Sequence, residues 1–139
     1  MNRWKKTGIL MMLLLAVGIL LPGCTIKDGG DEKLRDVEFT VLSEEEIPPE
    51  FLDFIIGKQS QPFKLTYTTD EYLYIAAGYG EQTTGGYSIS VKDCYMTENA
   101  LVFDTELLGP SASEDSIPGA SFPYIVIKVE KTDMTVIFK

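Results

Sequence analysis

The sequence predicts a mainly β protein, an antiparallel β-sandwich or open barrel of about seven strands with one short helix, behind an N-terminal export signal. From residue 35 onward, apolar and polar residues alternate over short segments, which is typical of strands with one buried face. Turn-forming residues separate these segments, and a helical spacing occurs only around residues 49–57. The chain therefore divides into a signal at 1–23, a tether at 24–34 and a β domain at 35–139.

The first 23 residues have the pattern of a secretory signal. Arg3, Lys5 and Lys6 precede an unbroken apolar run of 14 residues at 8–21. This run is too short to span a bilayer, which needs about 20 residues. The following Leu-Pro-Gly-Cys at 21–24 resembles the bacterial lipobox, in which a lipid-modified cysteine follows the cleavage site, although proline is a departure at its position. We expect Cys24 to carry the lipid anchor. The alternatives are an ordinary signal peptide with a chance cysteine and an uncleaved anchor.

Charge and cysteine content restrict the partners of the exported domain. Loss of residues 1–23 leaves nine basic and 21 acidic residues, a net charge of −12. Such a domain repels nucleic acid and anionic headgroups, so neither is an expected ligand. Two acyl chains on Cys24 would give stable anchoring, and residues 25–34 have the composition of a tether. Cys94 then has no cysteine to pair with, and its strand-like surroundings predict a buried, structural thiol.

The elements follow in order from residue 35. Val37, Phe39 and Val41 alternate with polar residues, which predicts one half-buried strand. The short helix has Pro49 in its first turn, Gly57 at its end, and on one side the apolar residues Phe51, Leu52, Phe54, Ile55 and Ile56. Before it, the glutamates at 44–46 fit a solvated turn better than a metal site.

Six further strands are predicted at 63–68, 72–79, 87–97, 100–108, 124–131 and 134–139. Short turns between consecutive strands, such as Glu98-Asn99 and Thr132-Asp133, predict antiparallel hairpins. Two loops are longer than this pattern requires, at 80–86 and 109–122. Since long loops on a compact β scaffold are where recognition usually occurs, both are candidate binding segments.

The residue content argues against an enzyme. Without any histidine, the sequence contains no Ser-His-Asp or Cys-His arrangement and no histidine-containing zinc site. The glycines at 80–86 are not followed by Lys-Ser or Lys-Thr and do not start a helix, so they do not form a phosphate loop. We therefore expect no catalytic residues, no metal and no small-molecule cofactor, and instead a protein partner.

The candidate partner-binding site is the segment from Tyr79 to Tyr87, with Gln82, Thr83, Thr84, Gly85 and Gly86 between the two tyrosines. Gly85 and Gly86 can take positive φ without steric cost, which allows a tight turn with an exposed backbone. The threonines present hydroxyls, and tyrosine buries a large area on binding with few torsions to freeze. The alternative is a plain hairpin turn whose tyrosines belong to the core.

The same segment carries a family resemblance. An apolar strand at 72–79, the sequence Thr-Gly-Gly-Tyr-Ser-Ile-Ser-Val at 84–91, Pro110, and Phe-Pro-Tyr-Ile-Val-Ile-Lys at 122–128 occur in this order. The set resembles the C-terminal domain of the protease complex subunit PrcB and covers most of residues 63–138. The resemblance implies a non-catalytic accessory lipoprotein that associates with a surface protease and helps to stabilise it.

A second, weaker resemblance gives a different function. Residues 83–87, Thr-Thr-Gly-Gly-Tyr, are similar to the Thr-Thr-Gly-aromatic loop of chagasin-type cysteine-protease inhibitors. An extra glycine interrupts the motif, Glu81-Gln82 replaces Asn-Pro, and the later Arg-Pro-Trp loop is missing. The sequence thus favours an extracytoplasmic, membrane-anchored binding module of a protease complex. A protease inhibitor and a structural envelope lipoprotein without a protease partner remain the alternatives.

Overall fold

The computed structural model describes residues 32–112 and 115–139. The predicted signal, the lipidation site Cys24 and the tether up to residue 31 lie outside the described residues. No helix in the described ranges is long and apolar enough to cross a membrane.

The described ranges contain ten strands and one α-helix. In chain order the elements are β1 (Arg35–Asp36), β2 (Thr40–Val41), α1 (Pro49–Lys58), β3 (Pro62–Thr68), β4 (Tyr72–Tyr79), β5 (Gln82–Gly85), β6 (Ser88–Met96), β7 (Ala100–Leu108), β8 (Ile117–Ser121), β9 (Tyr124–Glu130) and β10 (Thr135–Phe138). The first sheet has the order β1-β6-β7-β10 and the second has the order β2-β9-β4-β3. Strands β5 and β8 form a separate two-stranded ribbon. The prediction of a mainly β fold with one helix is confirmed, and the sheets do not close into a barrel.

The main core lies between the two four-stranded sheets. Leu73 and Ile75 of β4 and Ile127 of β9 meet Leu101 and Phe103 of β7 there. Four of these five side chains are completely shielded from solvent, and Leu73 is nearly so. Burial of a large aliphatic side chain contributes about 1.5–3 kcal/mol, so this layer supplies much of the driving force for folding. The arrangement is a β-sandwich.

A β-bulge in β6 allows side chains before and after it to point into the core. Ile89 and Val91 pack against the core, but so does Cys94, which is three residues after Val91. The register shifts between Val91 and Asp93, so the bulge at Lys92 absorbs the extra residue. Cys94 is buried as predicted, and burial raises the pKa of its thiol to about 11. The thiol is thus protonated at neutral pH and unreactive.

Helix α1 covers the outer face of the second sheet with a narrower apolar stripe than the sequence suggested. Phe51 and Ile55, one turn apart, are its buried residues, and they pack against Tyr74, Ala76 and other residues of a second core cluster. Phe54 and Ile56 are exposed, because five apolar residues in six positions cannot all face one side of a helix. The prediction of one clustered face was wrong in this respect. Gly57 lies inside the helix, which ends at Lys58.

The segment before α1 differs from the predicted half-buried strand. Strand β1 pairs with β6 in the first sheet and β2 pairs with β9 in the second, so the chain crosses between the sheets at residues 37–39. Phe39 and Val41 are consequently exposed, and of the three predicted inward residues Val37 packs against the core. The next turn, residues 44–46, is a short 3-10 helix. The Glu46 carboxylate accepts hydrogen bonds from the backbone N–H and hydroxyl of Ser43, which lower its pKa.

Two of the predicted hairpins are confirmed and one is wrong. Strands β3 and β4 and strands β6 and β7 pair antiparallel across the short turns that the sequence indicated. The turn at Thr132-Asp133 does not make a hairpin. It carries the chain from β9 in the second sheet to β10 in the first, where β10 pairs parallel to β7. Turn residues specify a change of direction, but they do not specify in which sheet the next strand is paired.

Candidate functional site

The two long loops predicted from the sequence contain strands that pair with each other. Strand β5 lies in the predicted 80–86 loop and β8 in the predicted 109–122 loop. Their antiparallel register places Gln82 opposite Ser121, Thr84 opposite Pro118 and Gly85 opposite Ile117. Strand β4 belongs to the second sheet and β6 to the first, so the plain hairpin turn considered for 80–86 is wrong. The candidate residues instead belong to a ribbon at one end of the sandwich.

Hydrogen bonds fix this ribbon to the body of the domain. The Ser121 hydroxyl donates to the Thr84 carbonyl oxygen at 2.6 Å, across the two strands. The Gln82 side-chain amide donates to the Tyr79 carbonyl at 3.2 Å, and the Tyr79 N–H donates to the carbonyl of Pro123 at 3.1 Å. These bonds tie both strands to the ends of β4 and β9. The ribbon is therefore a supported element with a defined position.

The two glycines of the site have different roles, and one differs from the prediction. Gly86 has φ +89°, the left-handed conformation that the sequence predicted for both. Gly85 does not have positive φ. It is needed because a Cβ there would lie 2.9 Å from the Cβ of Ile117, closer than real side chains approach. A Cβ at Gly86 would lie 2.6 Å from the Asp115 carbonyl oxygen. Both glycines thus allow the two loops to touch.

The predicted polar residues lie together at this end of the domain with different degrees of exposure. Thr83, at the register shift of the ribbon, is exposed, and Thr84 is half-buried. Tyr79 is half-buried, and its hydroxyl shares a hydrogen bond of 2.5 Å with the Thr105 hydroxyl of β7. Tyr87 is also half-buried, with its ring beside Gly109. Neither tyrosine belongs to the two buried core clusters, so both can contribute part of their surface to an interface.

Residues of the second loop complete the surface, and the sequence reasoning did not name them. Ile117 keeps 62% of its surface exposed, although its backbone is paired with Gly85. Leu108, opposite Ser88 in the first sheet, and Phe122, directly after β8, are also exposed. Strand β8 was not predicted from the sequence, because it contains Pro118 and Gly119 and both residue types are rare inside strands. The one available signal was the presence of Ile117 and Phe122 in an otherwise polar segment.

The described part of this surface holds no metal-binding cluster. Within residues 32–112 and 115–139, no group of three His, Cys, Asp or Glu side chains could hold a metal ion. Cys94 is buried between the sheets, away from the surface. The arrangement offers apolar contact area, hydroxyls and backbone groups, which are the means of binding another protein.

The ribbon lies at the end of the domain opposite to the point where the chain enters. Strand β6 begins at Ser88 beside the ribbon and ends at Met96. Strand β1 runs antiparallel to it and starts with Arg35 opposite Met96, and the Leu34 N–H donates to the Met96 carbonyl. Nine strand residues at about 3.3 Å per step span roughly 26 Å. Residues 32–34 therefore leave the sandwich about that far from the ribbon.

A cleft occurs at the end where the chain enters. This cleft, of about 1110 Å³, is lined by residues 35–40 where they cross between the sheets, and by residues of β4, β9 and the β6–β7 hairpin. Its charged side chains are of both signs, with Arg35, Lys128 and Lys131 near Glu38 and Glu130. The Lys128 ammonium lies 4.4 Å from the centre of the Tyr72 ring, where it is held by a cation–π contact. No convergent set of groups marks a ligand there.

Among the comparisons with known proteins, one family model matches part of the chain. Residues 73–130, from β4 to the end of β9, match the family model described as PrcB C-terminal. The match includes both strands of the ribbon and all seven candidate site residues. No curated protein and no solved structure matches the chain. The resemblance inferred from the sequence is thus confirmed over residues 73–130.

Proposed function

We propose that this PrcB C-terminal domain is the partner-binding part of a non-catalytic extracytoplasmic lipoprotein that stabilises a protease complex at the membrane surface. The family match over residues 73–130 supports the association with a protease complex. The lack of histidine supports a role without catalysis. The signal pattern at 1–23 and Cys24 support the lipid anchor.

The observation that carries the proposal is the ribbon formed by β5 and β8. Within the described part of the chain, neither of its strands pairs with a strand of the larger sheets, although hydrogen bonds hold it in place. A fixed element loses little conformational entropy when a partner binds, so little of the free energy of its contacts is offset by ordering. Thr83 and Ile117 are exposed and are not part of the core of the domain. A bound partner would bury both side chains.

The direction of the ribbon supports the same function. With Cys24 in the outer leaflet of a membrane and residues 25–34 as the predicted tether, the end of the domain that carries Leu34 would face the lipid. The ribbon, roughly 26 Å away along β6, would then face the aqueous side, where an extracytoplasmic partner is located.

The test compares two double variants of the full-length lipoprotein in its own membranes. Thr83→Ala with Thr84→Ala removes two hydroxyls from the ribbon. The matched control, Thr66→Ala with Thr68→Ala, removes two exposed hydroxyls from edge strand β3. Surface changes of this kind alter stability by about 0.5 kcal/mol or less. Both variants should therefore melt like the wild type, as measured by circular dichroism.

The two variants should differ in retention of the protease partner after crosslinking. Loss of an interface anchor costs about 2 kcal/mol or more, roughly a thirtyfold loss of affinity. The ribbon variant should lose its partner and the β3 variant should keep it. Equal retention by both variants would mean that the ribbon is not the binding site. Inhibition of a papain-like protease by the purified wild-type protein alone would instead support the inhibitor function.

A further inference from the structure

The ribbon end has an unusual distribution of charge. Between Lys64 and Lys128 the sequence contains a single basic residue, Lys92. The ribbon and its flanking segments, residues 79–91 and 104–124, therefore have no lysine or arginine at all. Lys58, at the end of α1, and Lys92, in the bulge of β6, lie on adjoining elements.

Exposed acidic residues lie close in sequence to the exposed apolar residues at this end. Glu81 precedes β5, Glu106 lies on β7 two residues before Leu108, and Asp115 lies two residues before Ile117. All three acids are exposed. The Asp115 carboxylate accepts a hydrogen bond from the Ser111 hydroxyl at 2.7 Å, and the Asp115 carbonyl lies beside Gly86. Among the described residues, none of these three carboxylates forms a salt bridge.

Ile117 combines a fixed backbone with an exposed side chain. It is paired with Gly85, whose missing side chain allows the two strands to approach closely. Large apolar side chains held in one place in this way are typical anchors of protein interfaces, while charged groups at the rim set partner choice and association rate.

From these observations we infer that the partner surface contains an apolar pocket for Ile117 with lysine or arginine side chains around it, facing Glu81 and Glu106. This inference rests on the proposed function, since it specifies the chemistry of the partner at the same ribbon. A lipid surface does not fit, because anionic headgroups and the carboxylates repel each other. A second copy of this acidic chain does not fit for the same reason.

The experiment places the photo-crosslinker p-benzoylphenylalanine at position 117 of the full-length lipoprotein in its own membranes. The control position is 54 on α1, where the native phenylalanine is 61% exposed. An adduct should form from position 117 and be absent from position 54, and mass spectrometry should find lysine or arginine near the crosslinked site of the partner. Between 0.1 M and 1 M NaCl the screening length falls from about 10 Å to about 3 Å, so the adduct yield should fall about tenfold.

Charge reversal provides the matched comparison. Glu81→Lys with Glu106→Lys should lower the adduct yield about tenfold at 0.1 M NaCl. Glu98→Lys with Asp133→Lys changes the net charge equally at the opposite end of the domain, and it should leave the yield unchanged. A salt-independent adduct from position 117, or equal effects of the two pairs, would overturn the basic-rim inference while the proposed function stands. Absence of any adduct from position 117 would overturn both.

Discussion

Substitution of Gly86 tests the close contact between this residue and Asp115 of the second loop. Gly86 has φ +89°, and an alanine side chain there would place Cβ 2.6 Å from the Asp115 carbonyl oxygen. The left-handed conformation costs an L-residue roughly 1–2 kcal/mol. Relief of the backbone overlap adds about 1–3 kcal/mol. Gly86→Ala should therefore destabilise the domain by about 2–5 kcal/mol, a large part of the roughly 5–15 kcal/mol available to a domain.

Gly57→Ala is the control with the opposite sign. Gly57 lies inside α1, and a Cβ at this position would meet no atom within 4 Å. Alanine in a helix interior is more stable than glycine by roughly 0.5–1 kcal/mol. A soluble form that begins at Thr25 allows both variants to be measured by thermal and urea unfolding. At about 4–8 °C per kcal/mol for a domain slightly smaller than this one, Gly86→Ala should melt at least about 8 °C lower and Gly57→Ala a few degrees higher. An unchanged midpoint for Gly86→Ala would refute the close contact between the two loops.

Three further predictions concern the core and the anchor. Thr97→Val should cost about 1–3 kcal/mol in urea unfolding, since the buried Thr97 hydroxyl accepts a hydrogen bond from the Ala100 N–H at 3.0 Å, and Thr97→Ser should restore most of the loss. The Cys94 thiol should resist a thiol reagent until the protein unfolds. The pKa of this thiol is raised from 9.0 to about 11 in the folded state, so the protonated thiol favours folding below pH 9. The free energy of unfolding should therefore fall between pH 9 and about 11, and it should fall less steeply in Cys94→Ala. Cys24→Ala should abolish incorporation of labelled fatty acid, and a mature N-terminus that starts elsewhere by mass spectrometry would contradict the lipid anchor.

The sequence predicted local structure better than the pairing of strands. Alternation located β3, β6, β7 and β9, because a strand with one buried face must repeat every two residues, and a continuous apolar run located β4, which is buried on both faces. It did not show that the chain changes sheets at residues 37–39 and again at Thr132-Asp133, since a crossing and a hairpin turn use the same residue types. The bulge at Lys92 could not be predicted from the sequence either, although it is the reason why Cys94 faces the core.

The candidate site was predicted in part. The segment from Tyr79 to Tyr87 stood out because glycines, threonines and tyrosines occur together in a long loop. The other half of the surface, which includes Ile117, could not be predicted. Its pairing with Gly85 is a contact between residues 32 positions apart, and β8 contains two residues that disfavour strands. The positive φ expected at Gly85 was wrong because the close approach of Ile117, and not the backbone conformation, requires glycine there.

Hydrogen–deuterium exchange of the full-length protein, alone and with the partner that crosslinks to it or co-purifies with it under the proposed function, tests most directly which end of the domain binds. The account predicts slower exchange in residues 82–88 and 115–122, which form the ribbon and its supports. It predicts unchanged exchange in residues 35–40, which line the cleft at the opposite end. Protection of residues 35–40 with no change in the ribbon would contradict the account, since the partner would then bind at the end of the domain from which the tether leaves.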